Sequence, residues 1–179
     1  MSRLTITPDT QPGRPELRTE DPAAIAEALS PIGVRFERWT LPVHVDADAP
    51  ADAILAAYRP HLDRLMGEGG AGSADVVRMR PGAEAYPAMR SKFIEEHIHT
   101  EDEVRFFVGG AGHFILHEGG RVYDALCTEG ELISVPTGLK HWFDAGPEPH
   151  ATVLRIFTDN TGWTPHYTGD AISARFPAV

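Results

Sequence analysis

Between Glu96 and Val108 the chain reads Glu-His-Ile-His-Thr-Glu-Asp-Glu-Val-Arg-Phe-Phe-Val, two histidines and four acids set directly against an apolar strand. Burying such a mixture with no use for its charges is costly. His97 and His99 lie two apart, and on an extended segment such side chains point the same way, so both can bind one metal ion. Glu103 opens the strand that follows; Glu103, Arg105 and Phe107 share one face of it, and Val104, Phe106 and Val108 share the other. A further ligand candidate lies downstream, where the strand Glu131–Val135 runs into Pro136-Thr137-Gly138 and the chain reaches His141. The turn aims His141 back towards the other three, and three imidazoles with one carboxylate suit a first-row divalent ion.

The remaining histidines read more plainly. His44, His61, His150 and His166 stand alone and are expected to be surface or hydrogen-bonded residues. His113 and His117 share one face of the strand Gly112–His117 but sit too far apart to chelate together, and are expected on the outer or rim face. Arg105 and Arg155 are each a lone charge in an otherwise apolar strand. A buried guanidinium needs a carboxylate or an anionic ligand, so each is read as pocket lining, with an internal salt bridge as the alternative.

The elements that must position these residues follow from pattern. Asp21 and Pro22 suit a helix start, Ile25 and Leu29 give that helix an apolar face, and Pro31 and Gly33 end it. Leu4–Ile6 and Val34–Trp39 read as strands. Ile54, Tyr58, Leu62 and Leu65 recur at helical spacing over residues 50–66, where Pro60 either kinks the helix or splits it. A strand over Ala74–Met79 and a helical patch over Ala85–Glu95, with Met89 and Phe93 buried, lead into the histidine motif. Short strands then follow at Val104–Val108, His113–His117, Arg121–Leu126, Glu131–Val135 and Ala151–Phe157, with Gly109-Gly110 and Glu118-Gly119-Gly120 read as hairpin turns. Even spacing of this kind predicts an antiparallel jelly-roll barrel with peripheral helices.

Length and composition bound the rest. With 179 residues and 42% apolar content, one domain is expected, residues 1–95 packing outside and completing a barrel, 96–160 forming its metal-binding core and 161–179 a C-terminal tail. A net charge of −10 argues against nucleic acid and anionic membrane as partners. Cys127 is the one cysteine, the N-terminus lacks a signal-peptide pattern and no apolar run is long enough to span a bilayer, so a cytoplasmic location is expected. No long amphipathic stripe calls for a partner, and a monomer is expected.

The spacing His-x-His-x3-Glu-x6-Gly, followed by Gly-x5-Pro-x-Gly-x2-His, resembles the two signature motifs of the cupin superfamily. In that family the four positions, here His97, His99, Glu103 and His141, bind one divalent metal inside a small barrel; Ala145 stands where the second motif often ends in asparagine. Glu-Asp-Glu-Val-Arg-Phe, Leu-Ile-Ser-Val-Pro, His-Trp-Phe-Asp and the closing Tyr-Thr-Gly-Asp narrow the likeness, and nearly the whole chain is similar to the acireductone dioxygenases of methionine salvage. The resemblance implies cleavage of acireductone by O2. With iron(II) it implies the keto acid precursor of methionine plus formate, and with nickel(II) methylthiopropionate, formate and carbon monoxide. It gives Arg105 the task of favouring the substrate dianion, associates Glu96 with metal incorporation and associates Asp102 with relaying conformational change, although either acid could be a solvated turn residue. Phe93, Phe106, Phe143 and Trp163 are read as pocket or core aromatics and assigned to the pocket, with core packing as the competing reading to pocket cover for Trp163. A cupin isomerase or a non-catalytic small-molecule sensor is the alternative function.

Overall fold

The structure, a computed structural model, describes residues 1–40, 46–69, 73–157 and 164–178. In chain order its elements are β1 (Arg3–Pro8), β2 (Leu17–Thr19), α1 (Pro22–Leu29), β3 (Arg35–Arg38), α2 (Ala51–Gly69), β4 (Ser73–Met79), α3 (Tyr86–Phe93), β5 (His97–Ile98), β6 (Glu103–Glu118), β7 (Arg121–Thr128), β8 (Glu131–Val135), β9 (Lys140–Asp144), β10 (Ala151–Phe157), β11 (His166–Tyr167) and α4 (Ile172–Arg175). Every pairing is antiparallel, and the strands form the expected mainly-β jelly-roll barrel of cupin type. One sheet runs β11-β5-β9-β6-β7-β1-β2, and the other, continuous with it through β6, joins β4, β10, β6, β8 and β3. The C-terminal segment is thereby tied to the barrel as an edge strand.

The long strand β6 organises both sheets. Gly109-Gly110 is not a hairpin turn but a bulge within one continuous strand: Thr152 faces Gly109 and Val153 faces Phe107, leaving Val108 as the extra residue. Inserting one residue switches which parity points inward. Phe107 therefore faces the barrel interior before the bulge and Phe114 and Leu116 after it, while Ile115 faces outward. Gly110 takes φ +75°, and a Cβ there would fall 1.7 Å from the His150 carbonyl oxygen, so glycine alone permits this crossing.

Two apolar layers hold the barrel and its helices. Leu4, Phe36, Phe107, Phe114, Ile133 and Val153 fill the interior together with Ile25 and Leu29 of α1. Helix α1 begins as the sequence predicts: the Asp21 side chain accepts from Ala23 N at 3.3 Å, with Pro22 in the first turn. Burying Ile25 and Leu29 stabilises the docked helix by about 1.5–3 kcal/mol each. The second layer places Ile54, Tyr58, Leu62 and Leu65 of α2 over Phe106, Val108, Leu132 and Leu154. Pro60 neither splits α2 nor ends it; it sits on the exposed side, where the carbonyl one turn back can meet water. Among the described residues no helix is long and apolar enough to cross a membrane.

Candidate metal centre

Cross-strand register brings the ligands together. His97 in β5 is directly paired with His141 in β9, and Glu103 at the start of β6 is paired with Val135, the last residue before the Pro136-Thr137-Gly138 turn. That turn is fastened to the first motif: Gly138 N and Thr137 Oγ1 donate to the His99 carbonyl at 3.0 and 3.2 Å, and Thr137 N donates to Asp102 Oδ1 at 2.8 Å. The three imidazole centroids consequently stand 4.6–5.2 Å apart, with one ligand nitrogen from each within 4.8 Å of the others. All three rings are buried.

Hydrogen bonding fixes which nitrogen each ring presents. Nδ1 of His97 lies 2.7 Å from the Glu95 carbonyl, Nδ1 of His99 3.3 Å from the Thr164 carbonyl and Nδ1 of His141 2.8 Å from the Leu139 carbonyl. A carbonyl only accepts, so each Nδ1 carries the proton and each Nε2 turns a lone pair to the centre. Glu103 Oε2 lies 3.6 Å from His99 Nε2 and 2.8 Å from His141 Nε2, and among the described residues neither Oε2 nor His141 Nε2 makes a well-formed hydrogen bond. Buried lone pairs facing one another are unfavourable until a cation stands between them. The donor set therefore fits a divalent ion held by three neutral imidazoles and one carboxylate.

The protonation states agree. Burial, with His141 alongside, pushes His97 down to about 4, and burial likewise lowers His99, so both are neutral near pH 7. Burial by itself would raise Glu103, but the Arg105 charge beside it holds its carboxyl well below the usual range. Arg105 NH2 meets Glu103 Oε1 at 2.5 Å. Burial lowers Arg105 to about 10 against the pull of Glu103, which leaves it charged at neutral pH.

Beside this centre a cavity enclosing about 590 Å³ of atom-free space, part of it open to solvent, has Glu103, Arg105, Arg90 and Arg155 among its lining. Val77, Met79, Met89, Phe93 and Phe143 supply apolar wall. Such a cleft suits a small anionic molecule with an apolar tail.

Residues 3–165 match the ARD/ARD' family. The chain belongs to that family. It is 64% identical over its whole length to an acireductone dioxygenase of Granulibacter bethesdensis, covering all of that protein, and 60% identical to one of Acidiphilium cryptum, covering 99% of it. A solved acireductone dioxygenase from Bacillus anthracis, with a cadmium ion in its active centre, is 27% identical and superposes with a TM-score of 0.81 over 93% of this chain and 98% of its own.

Within this ARD-family barrel the other singled-out residues fall into separate places. Arg155 lines the cavity directly across the ladder from Arg105, and its guanidinium grips both carboxylate oxygens of Asp75. Phe93 and Phe143 line the cavity, Phe93 also lying 5.8 Å from the His97 ring. Phe106 does not: its face of β6 is the opposite one, and it stacks on Trp39 beneath α2. Trp163 and His44 lie outside the described residues. Asp102 is exposed and caps the turn, whereas Glu96 is 1% exposed and is no solvated turn acid. His113 pairs with Asp124, and His117 with Glu96. Sequence reasoning missed Met79 as cavity wall and missed Arg90, which binds both oxygens of Asp144 at 2.7 and 2.8 Å beside the cavity. The helical pattern around Met89 was the one available signal for this wall; nothing local announces a contact between residues 54 positions apart.

Proposed function

We propose that this chain is a metal-dependent dioxygenase that cleaves acireductone with O2, in methionine salvage. The observation that carries the reading is the Glu103–Arg105 pair lining a cleft with apolar walls, with three Nε2 lone pairs converging beside it. His97, His99, Glu103 and His141 would hold the ion. When bound, iron(II) or nickel(II) supplies Lewis acidity and a centre for chelating the enediol oxygens.

The chain's own groups do the rest. Arg105, charged and buried, favours the substrate as a dianion, because the bound cation with Glu103 leaves about one positive charge and Arg105 adds the second. Arg155, oriented by Asp75, lies across the ladder from Arg105 and lines the same cavity. Met79, Met89 and Phe143 cover the methylthio tail and keep water from the reacting carbons. Asp102 couples the two ligand loops through Thr137 and so relays movement between them, and Glu96 supports metal incorporation from behind His97. The reading takes the working form to be a cytoplasmic monomer.

Product analysis after reconstitution with each ion tests this. Iron-loaded protein is expected to yield the methylthio keto acid and formate, and nickel-loaded protein methylthiopropionate, formate and carbon monoxide. Absence of formate with both ions, at full metal occupancy, would exclude the reading.

A further inference from the structure

Glu96 is a buried carboxylate whose partners all come from distant parts of the chain. Its Oε1 accepts from His117 Nδ1 of β6 at 2.6 Å, its Oε2 accepts from the Thr168 hydroxyl, and its backbone carbonyl accepts from Thr168 N at 3.1 Å. His117 is itself braced, with Nε2 3.4 Å from Asp9 Oδ2. Glu96 is joined to His97 through the backbone.

The segment that carries Thr168 meets the centre at two further points. Tyr167 pairs with His97 in the β11–β5 ladder, and the Thr164 carbonyl receives His99 Nδ1 at 3.3 Å. β5 is only two residues long, too short to hold its place by ladder hydrogen bonds alone. A carboxylate buried beside it is stable only while its donors are present. One donor arrives from β6 and the other from the C-terminal segment, so β5 is gripped from two directions through a single side chain.

We propose that Thr168 and His117 are positioning residues for His97, holding β5 against β9 through the Glu96 carboxylate and so setting how slowly a bound divalent cation escapes. The proposal rests on the reading that His97, His99, Glu103 and His141 hold such a cation. Thr168 is exposed, so Thr168→Val keeps shape and backbone hydrogen bond while deleting only the hydroxyl. Thr168→Ser keeps the hydroxyl.

The test is nickel release from the full-length, nickel-loaded chain into excess chelator, with thermal unfolding of each metal-free variant alongside. Thr168→Val is expected to release nickel about tenfold faster or more, with a metal-free melting temperature only a few degrees lower, and Thr168→Ser is expected to stay within about twofold of wild type. His117→Leu should accelerate release in the same way, and combining it with Thr168→Val should give less than the product of the two effects, because both act through one carboxylate. Release from Thr168→Val at the wild-type rate, or equal acceleration in Thr168→Ser, overturns the proposal. A wild-type chain that binds no stoichiometric nickel overturns the metal reading itself, and the sample taken before chelator is added reports that separately.

Discussion

Glu103 Oε2 and His141 Nε2 stand 2.8 Å apart, and the His141 proton is committed to the Leu139 carbonyl on the far side of the ring. Two lone pairs are thus held face to face in a buried place, a cost the fold bears because a cation offsets it. His97→Ala and His141→Ala each remove one of the converging donors. Each is expected to weaken metal binding by more than the roughly 10- to 100-fold typical of losing an outer-shell partner, and elemental analysis of the purified variants checks it.

Arg105 is ion-paired to Glu103 and offers no lone pair to a cation, so its loss should separate binding of metal from turnover. Arg105→Ala is expected to retain about one metal per chain while kcat falls about 10²- to 10³-fold, the scale seen when one electrostatic donor to a developing anion is removed. Wild-type oxygen uptake by this variant would count heavily against the assigned role.

Stability of the metal-free protein should fall as the pH drops below neutrality. His97 is pushed down to about 4 in the fold from an ordinary 6.5, so between those values the unfolded chain binds the proton that the folded chain refuses. Unfolding is favoured as pH drops through that window, by about 2 kcal/mol between about pH 7.5 and about pH 5. Urea denaturation at the two pH values measures this, and His97→Gln should flatten the difference. A metal-free wild type equally stable at both would contradict the neutral, buried imidazole.

The bulge in β6 makes a prediction about folding. Gly110→Ala places a Cβ against the His150 carbonyl at φ +75°, and is expected to cost at least about 2 kcal/mol. Gly119→Ala, at φ +57° with open space around it, should cost only about 1 kcal/mol. Denaturant midpoints of the two variants give the comparison, and equal midpoints would show that the crossing does not constrain β6.

What was legible in the sequence is what is encoded locally. His97 and His99 are two apart on one strand, Glu103 follows on the next, and the Pro136-Thr137-Gly138 turn announces the approach of His141. Alternation also put Phe106 on the face away from Arg105, and the structure follows that periodicity, packing it in the core and not in the pocket. The bulge was not legible, since Gly109-Gly110 between apolar runs has the composition of a turn, and only the pairing of β6 with four other strands keeps it extended. The salt bridges of Arg155 with Asp75 and Arg90 with Asp144, and the grip of His117 and Thr168 on Glu96, join residues 21 to 80 positions apart. Tertiary structure alone creates such contacts.

The most direct test is oxygen uptake with acireductone by the metal-free protein, before and after one equivalent of iron(II) is added under otherwise identical conditions. No uptake before, and one O2 consumed per substrate after, is the result predicted here; uptake that ignores the metal, or none at full occupancy, would contradict it.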